Sequence, residues 1–114
     1  MKYMLQIYGN ITREQFAGMS EDERNELYAA WGAVNQTPGI TPGMELADPA
    51  TATTVRVRDG KTLITDGPFA ETHEQLGGFF LLECKDLDEA LRWAEKIPHA
   101  KYGSVEVRPL WSEV

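Results

Sequence analysis

The stretch "GFFLLEC", Gly78–Cys84, decides how this chain folds. It has the length and β-forming character of a strand, and it is apolar at every position from Phe79 to Leu82. Strands covered on one face alternate apolar and polar residues, so an unbroken apolar run marks a central strand covered on both. The segments around it supply its neighbours. "YMLQIY", Tyr3–Tyr8, is a short β-rich run that ends at Gly9-Asn10, and "SVEVRPL", Ser104–Leu110, alternates with Val105 and Val107 inward.

"TTVRVRDGKTLITDG" is predicted to be a hairpin. Asp59-Gly60 supplies a two-residue type I′ turn, in which both residues need positive φ. Counting outward, Arg58 faces Lys61, Val57 faces Thr62, Arg56 faces Leu63 and Val55 faces Ile64. Val55, Val57 and Ile64 then share one face and the arginines the other.

Helices fall between these strands. Thr12 with Gln15, and Ser20 with Glu23, have capping-box spacing, and acids crowd the first turn after Ser20. In the second of these helices Leu27, Ala30, Trp31 and Val34 recur at i, i+3, i+4, i+7 and define its buried side. "DLDEALRWAEKIP" is a later helix with Asp86 as N-cap and an expected stripe of Leu87, Ala90, Leu91, Ala94 and Ile97. Residues 37–52, rich in Pro and Gly without periodicity, read as a long loop.

The order β–α–(ββ)–β–α–β implies an α+β fold, a ferredoxin-like sheet with helices on one face. Helices on one face leave the other side of Phe79–Leu82 bare, so a homodimer packing sheet on sheet is expected. At 114 residues the chain is read as one domain, 1–114. The net charge of −7 comes with no cluster of Lys and Arg, which argues against nucleic acid as a partner. No apolar run approaches the ~20 residues of a membrane span, and no signal peptide is recognised. The single cysteine, Cys84, cannot form an internal disulfide, and a reducing, cytoplasmic setting is expected. Two histidines and scattered acids show no metal-ligand spacing, so neither metal nor cofactor is expected.

Candidate chemistry concentrates in "TDGPFAETHEQLGGFF", Thr65–Phe80. Asp66 reads either as a turn-forming residue bonded to nearby amides or as a carboxylate in a substrate cleft. Glu71 and His73, at i and i+2, point the same way in an extended segment and would suit general acid–base work; a short exposed helical turn is the alternative. Tyr28 stands beside the buried stripe of its helix, able to line a pocket or simply to pack. Arg56 and Arg108 lie on strand faces where they would pair with Glu83 or Glu106, or bind a substrate carboxylate. His99, after Pro98, reads as solvated, and Cys84 as a small hydrophobe.

"DGPFAETHEQLGGF", Asp66–Phe79, resembles the signature of the DGPF-type branch of the YCII-related proteins, which usually carry "DGPFAETKEQLGGF". "TTVRVRDGKTLITDGPF", "DLDEALRWAEKIP" and "YGSVEVRP" are similar to the same family in the same order, together spanning Thr53 to Pro109. The resemblance implies a ferredoxin-like fold dimerising into an α/β barrel. It also implies cofactor-independent chemistry on small molecules through a His–Asp pair, or a regulatory context linked to alternative sigma factors and stress. The position comparable to that histidine is Tyr28 here, and His73 stands where the branch usually has Lys. Two functions follow: an acid–base small-molecule enzyme using Asp66 with Tyr28 or His73, or a non-catalytic dimeric binding or regulatory module.

Overall fold

A computed structural model describes residues 1–9, 11–68 and 74–114. In chain order the elements are β1 (Lys2–Tyr8), α1 (Arg13–Ala17), α2 (Glu21–Asn35), β2 (Ile40–Glu45), β3 (Thr53–Arg58), β4 (Lys61–Asp66), β5 (Leu76–Glu83), α3 (Leu87–Ala94), α4 (His99–Tyr102) and β6 (Ser104–Pro109). Single 3₁₀ turns cover Pro49–Thr51 and Trp111–Glu113.

Four strands form one antiparallel sheet in the order β2-β5-β1-β6, the ferredoxin-like arrangement. The apolar run of β5 lies between β2 and β1, as its composition requires. Tyr3, Leu5 and Ile7 of β1 join Phe80 and Leu82 of β5 on the face that meets the helices. The helical layer closes over them with Val34 of α2, Ala90 and Ala94 of α3, and Ile97. Trp31 and Trp93 pack against this core from either side.

Local signals act where the sequence places them. Thr12 Oγ1 accepts from the Gln15 amide at 3.1 Å and Gln15 Oε1 from the Thr12 amide at 2.9 Å. Ser20 and Glu23 make the same reciprocal pair ahead of α2, at 3.1 and 3.2 Å. These bonds satisfy amides that have no partner within the helix. Asp86 Oδ1 accepts from the Glu89 amide at 2.9 Å and opens α3.

Two expectations are corrected. The 37–52 loop contains β2, which pairs with β5 through Ile40↔Leu82, Thr41↔Leu81 and Met44↔Phe79. Pro42 has no amide to donate, and β2 tolerates it because an edge strand needs partners on one side only; the register slips between Thr41 and Met44. In α3, Leu87 and Leu91 are exposed, and the buried side runs Ala90, Trp93, Ala94, Ile97. The two alanines let α3 lie close on the sheet, with Ala90 fully buried.

The hairpin forms as counted. All four predicted pairs are present, from Arg58↔Lys61 to Val55↔Ile64, and Asp59 and Gly60 have φ of 52° and 73°. It is nevertheless not part of the main sheet: β3 and β4 make a separate two-stranded ribbon, the arm. The radius of gyration is 16.4 Å, whereas a compact chain of this length would have roughly 13 Å. The molecule measures 51 × 41 × 20 Å, the shortest dimension fitting one sheet with one helical layer.

Candidate functional site

Three glycines, Gly43, Gly77 and Gly78, shape the space between helices and sheet. Gly43 of β2 faces β5 so closely that a Cβ there would meet the Phe79 carbonyl oxygen and the Phe80 ring. A Cβ at Gly78 would stand 2.7 Å from the Met44 carbonyl oxygen. Gly77 is skipped in the β1–β5 register, with Ile7 opposite Gly78 and Tyr8 opposite Leu76. Without side chains here, β2 and β5 leave a hollow of about 270 Å³, floored by Ile7 and Phe80 and lined by Trp31, Asn35, Glu45 and His99.

A wider cleft of about 1040 Å³ shares Trp31, Glu45 and His99 with the hollow and adds Phe16, Tyr28, Arg13 and Glu74 at its walls. Its α1 wall is fixed by Arg24. The guanidinium donates to the carbonyls of Phe16 at 3.2 Å and Ala17 at 3.0 Å, and it lies over the Phe16 ring at 5.3 Å. Phe16 in turn meets Tyr28 edge to face at 6.2 Å. The opposite wall is tied by the Gly9 amide donating to the Gln75 carbonyl and by Ser104 Oγ to Glu74 Oε2, both at 2.9 Å.

His99 joins the two spaces. It opens α4 directly after the buried Pro98, and its ring sits against Trp31 at 5.4 Å while Trp31 stacks on Phe80 at 6.0 Å. The imidazole is half-buried rather than solvated, and its buried Nδ1 has no hydrogen-bond partner among the described residues. Burial holds the pKa of His99 below the ordinary histidine value, with the Glu45 carboxylate opposing that shift. The site thus brings together a half-buried imidazole and an apolar floor, with Tyr28 on the wall of the adjoining cleft.

The other predicted residues stand elsewhere. Asp66 ends β4, exposed, and pairs with Thr53. The Gly67 amide bonds to the Ala52 carbonyl at 2.7 Å, and Pro68 has no amide for an Asx-turn. Arg56 is on the arm, with Nη1 3.4 Å from Thr65 Oγ1. Arg108 is exposed on the main sheet opposite Met4. Glu71 and His73 lie outside the described residues. Cys84 is half-buried, its Sγ 3.4 Å from the Asp86 carbonyl, and burial followed by the Glu89 charge raises its pKa. Among the described residues no group of three or more His, Cys, Asp or Glu is placed to hold a metal ion. Nor is any helix among them long and apolar enough to cross a membrane.

The hollow depends on Gly43, Gly77 and Gly78, the last two inside the motif that ends in "LGGF". A match to the YCII-related domain extends over residues 1–113. The chain belongs to the YCII-related family. It is also 39% identical over 114 residues to an uncharacterized protein of Rhizobium meliloti (strain 1021), covering 96% of this chain and 92% of that relative. In this YCII-related chain, sequence reasoning missed His99 and Glu45. Neither carries a spacing signal, because they meet only when β2 joins the sheet edge and α3 turns back into α4.

Proposed function

We propose that this YCII-related protein binds a small, largely apolar molecule between its helices and sheet and moves a proton on it, with His99 as the base. The observation that carries the reading is the unpartnered, buried Nδ1 of His99 beside a cavity. A buried polar atom without a partner costs free energy and asks for one, and a ligand hydroxyl or acidic C–H fits the position. Keeping the imidazole neutral near pH 7 leaves it able to accept a proton, the requirement for a general base. Tyr28 lines the adjoining cleft, which His99 also borders, and is the proton donor in this reading. The hollow's 270 Å³ lies just below the roughly 300–1,000 Å³ of typical ligand sites, which favours a compact substrate over a nucleotide or peptide.

The test is a thermal-shift screen with small acids, phenols and lactones, followed by NMR detection of proton exchange in D₂O on any molecule that binds. Exchange by wild type, lost in His99→Gln with binding retained, supports catalysis. Binding with no exchange in either protein favours the non-catalytic module, and a panel without binders removes the reading.

We further propose that the protein works as a homodimer in a reducing, cytoplasmic setting. The sheet face away from the helices carries two cross-strand rows, Arg108–Met4–Leu81–Thr41 and Glu106–Gln6–Phe79–Met44. Met44 is 66% exposed, Phe79 and Leu81 are half-exposed, and Gln6 Oε1 is buried without a donor among the described residues. The four apolar residues of these rows, Met4, Leu81, Phe79 and Met44, form a patch of the kind a second sheet covers. Light scattering at micromolar concentration should give twice the 12.8 kDa chain mass.

A further inference from the structure

The arm presents apolar side chains that the fold of one chain leaves uncovered. Val55, Val57 and Ile64 share a face and are 60, 61 and 68% exposed, and Leu63 on the reverse face is 47% exposed. A two-stranded hairpin is at best marginally stable alone in water, and among the described residues neither outer edge of this one pairs with the main sheet. β-branched residues in pairing register, on a face that Lys61 and the arginines do not share, are what a covered face contains.

Area points to the occupant, and the placement of charge does not oppose it. The arm carries Arg56, Arg58 and Lys61 against Asp59 and Asp66, in a chain whose net charge is −7. All three basic residues lie on the face away from Val55, Val57 and Ile64, so the face that would be buried presents no cation to the apolar residues on the open sheet of a second copy. The open face of a four-stranded sheet spans roughly 20 × 20 Å, about 400 Å², from strand spacing and rise. A stable dimer needs about 800 Å² per partner. A ribbon of two six-residue strands adds on the order of 200 Å² and brings the contact much closer to that size.

We infer that the β3–β4 arm clasps a second copy of this chain, burying its Val55–Val57–Ile64 face at the rim of the sheet-on-sheet contact. This rests on the homodimer proposed above. The arm then holds two subunits in register, so its exposed β-branched residues serve association and not the monomer's core.

The experiment compares three proteins by light scattering and sedimentation across nanomolar to micromolar concentration. Wild type is expected to dimerise. Val57→Asp with Ile64→Asp should retain its circular dichroism and weaken dimerisation about 100-fold, the effect of burying two unpaired charges against apolar surface. If that pair does not fold, Val57→Thr with Ile64→Thr keeps the β-branching and should weaken the dimer about tenfold. Leu81→Arg, on the open face, separates the two readings. A dimer that survives the arm substitutions but is broken by Leu81→Arg overturns the clasp and leaves the sheet contact standing. A wild type that stays monomeric overturns both.

Discussion

The imidazole of His99 lies 5.4 Å from the Trp31 ring at an interplanar angle of 55°, and this contact joins the core to the cleft. Trp31 continues it inward by stacking on Phe80, so one column of three rings runs from the sheet to the helix layer. The column gives His99 its half-buried position, and burial is the first cause of its lowered pKa. A histidine held this way is both a chemical group and a stability sensor.

That coupling has a definite sign. The folded state favours neutral His99, so the unfolded chain takes up the proton at the higher pH. The contribution is absent above the ordinary imidazole range, and stability falls as pH drops through about 6.5 and below. The melting temperature of wild type should therefore decline between about pH 7 and about pH 5 more steeply than that of His99→Gln. Parallel profiles would mean that His99 titrates as freely in the fold as out of it.

Trp31→Ala removes the middle ring. The loss of a large, partly buried aromatic should cost about 2–4 kcal/mol in urea unfolding. It also lets water reach His99, so the imidazole pKa read by NMR should rise towards the ordinary value while ligand-induced thermal shifts disappear. An unchanged histidine titration would separate Trp31 from the burial of His99.

Cys84 should be a poor nucleophile. Its thiol pKa is raised by burial and then by the neighbouring Glu89 carboxylate, so the thiolate fraction near neutrality is small. A disulfide reagent should react more slowly with the folded chain than with the urea-unfolded chain at the same pH. Glu89→Gln removes the second cause and should accelerate the folded-state reaction. Rapid labelling of folded wild type would contradict this assignment.

Features set by neighbouring residues were legible in the sequence. Asp59-Gly60 fixed the turn, and the turn fixed four strand pairs, because register follows from counting once the two positive-φ residues are known. Ser20 with Glu23 and Thr12 with Gln15 named their helix starts for the same local reason. The apolar run of β5 gave its central place and the ferredoxin-like fold. Pro42 and Gly43 hid β2, since both are strand breakers except at an edge, and edge status is a property of the assembled sheet. Leu87 and Leu91 matched the helical period better than Trp93 did, yet close packing of Ala90 turned them outward. His99 and Glu45 became a pair only through tertiary closure, which no spacing encodes.

Two glycine-to-alanine substitutions should have opposite effects, and the reason lies in what the added methyl meets. Gly32 is an exposed position within α2, where a Cβ would find nothing within 4 Å. Alanine there loses less conformational entropy on folding and should stabilise the protein by about 0.5–1 kcal/mol. Gly78 faces the Met44 carbonyl, where a Cβ would arrive at 2.7 Å. Backbone cannot swing aside as a side chain can, so β2 must move away from β5, at about 1–3 kcal/mol. The same methyl projects towards the hollow floored by Ile7 and Phe80, so bound ligand should weaken along with stability. Urea unfolding of both variants, with and without a binder from the screen, checks each part. Equal stability of Gly78→Ala and wild type would show that β2 and β5 are not in the close contact on which the hollow depends.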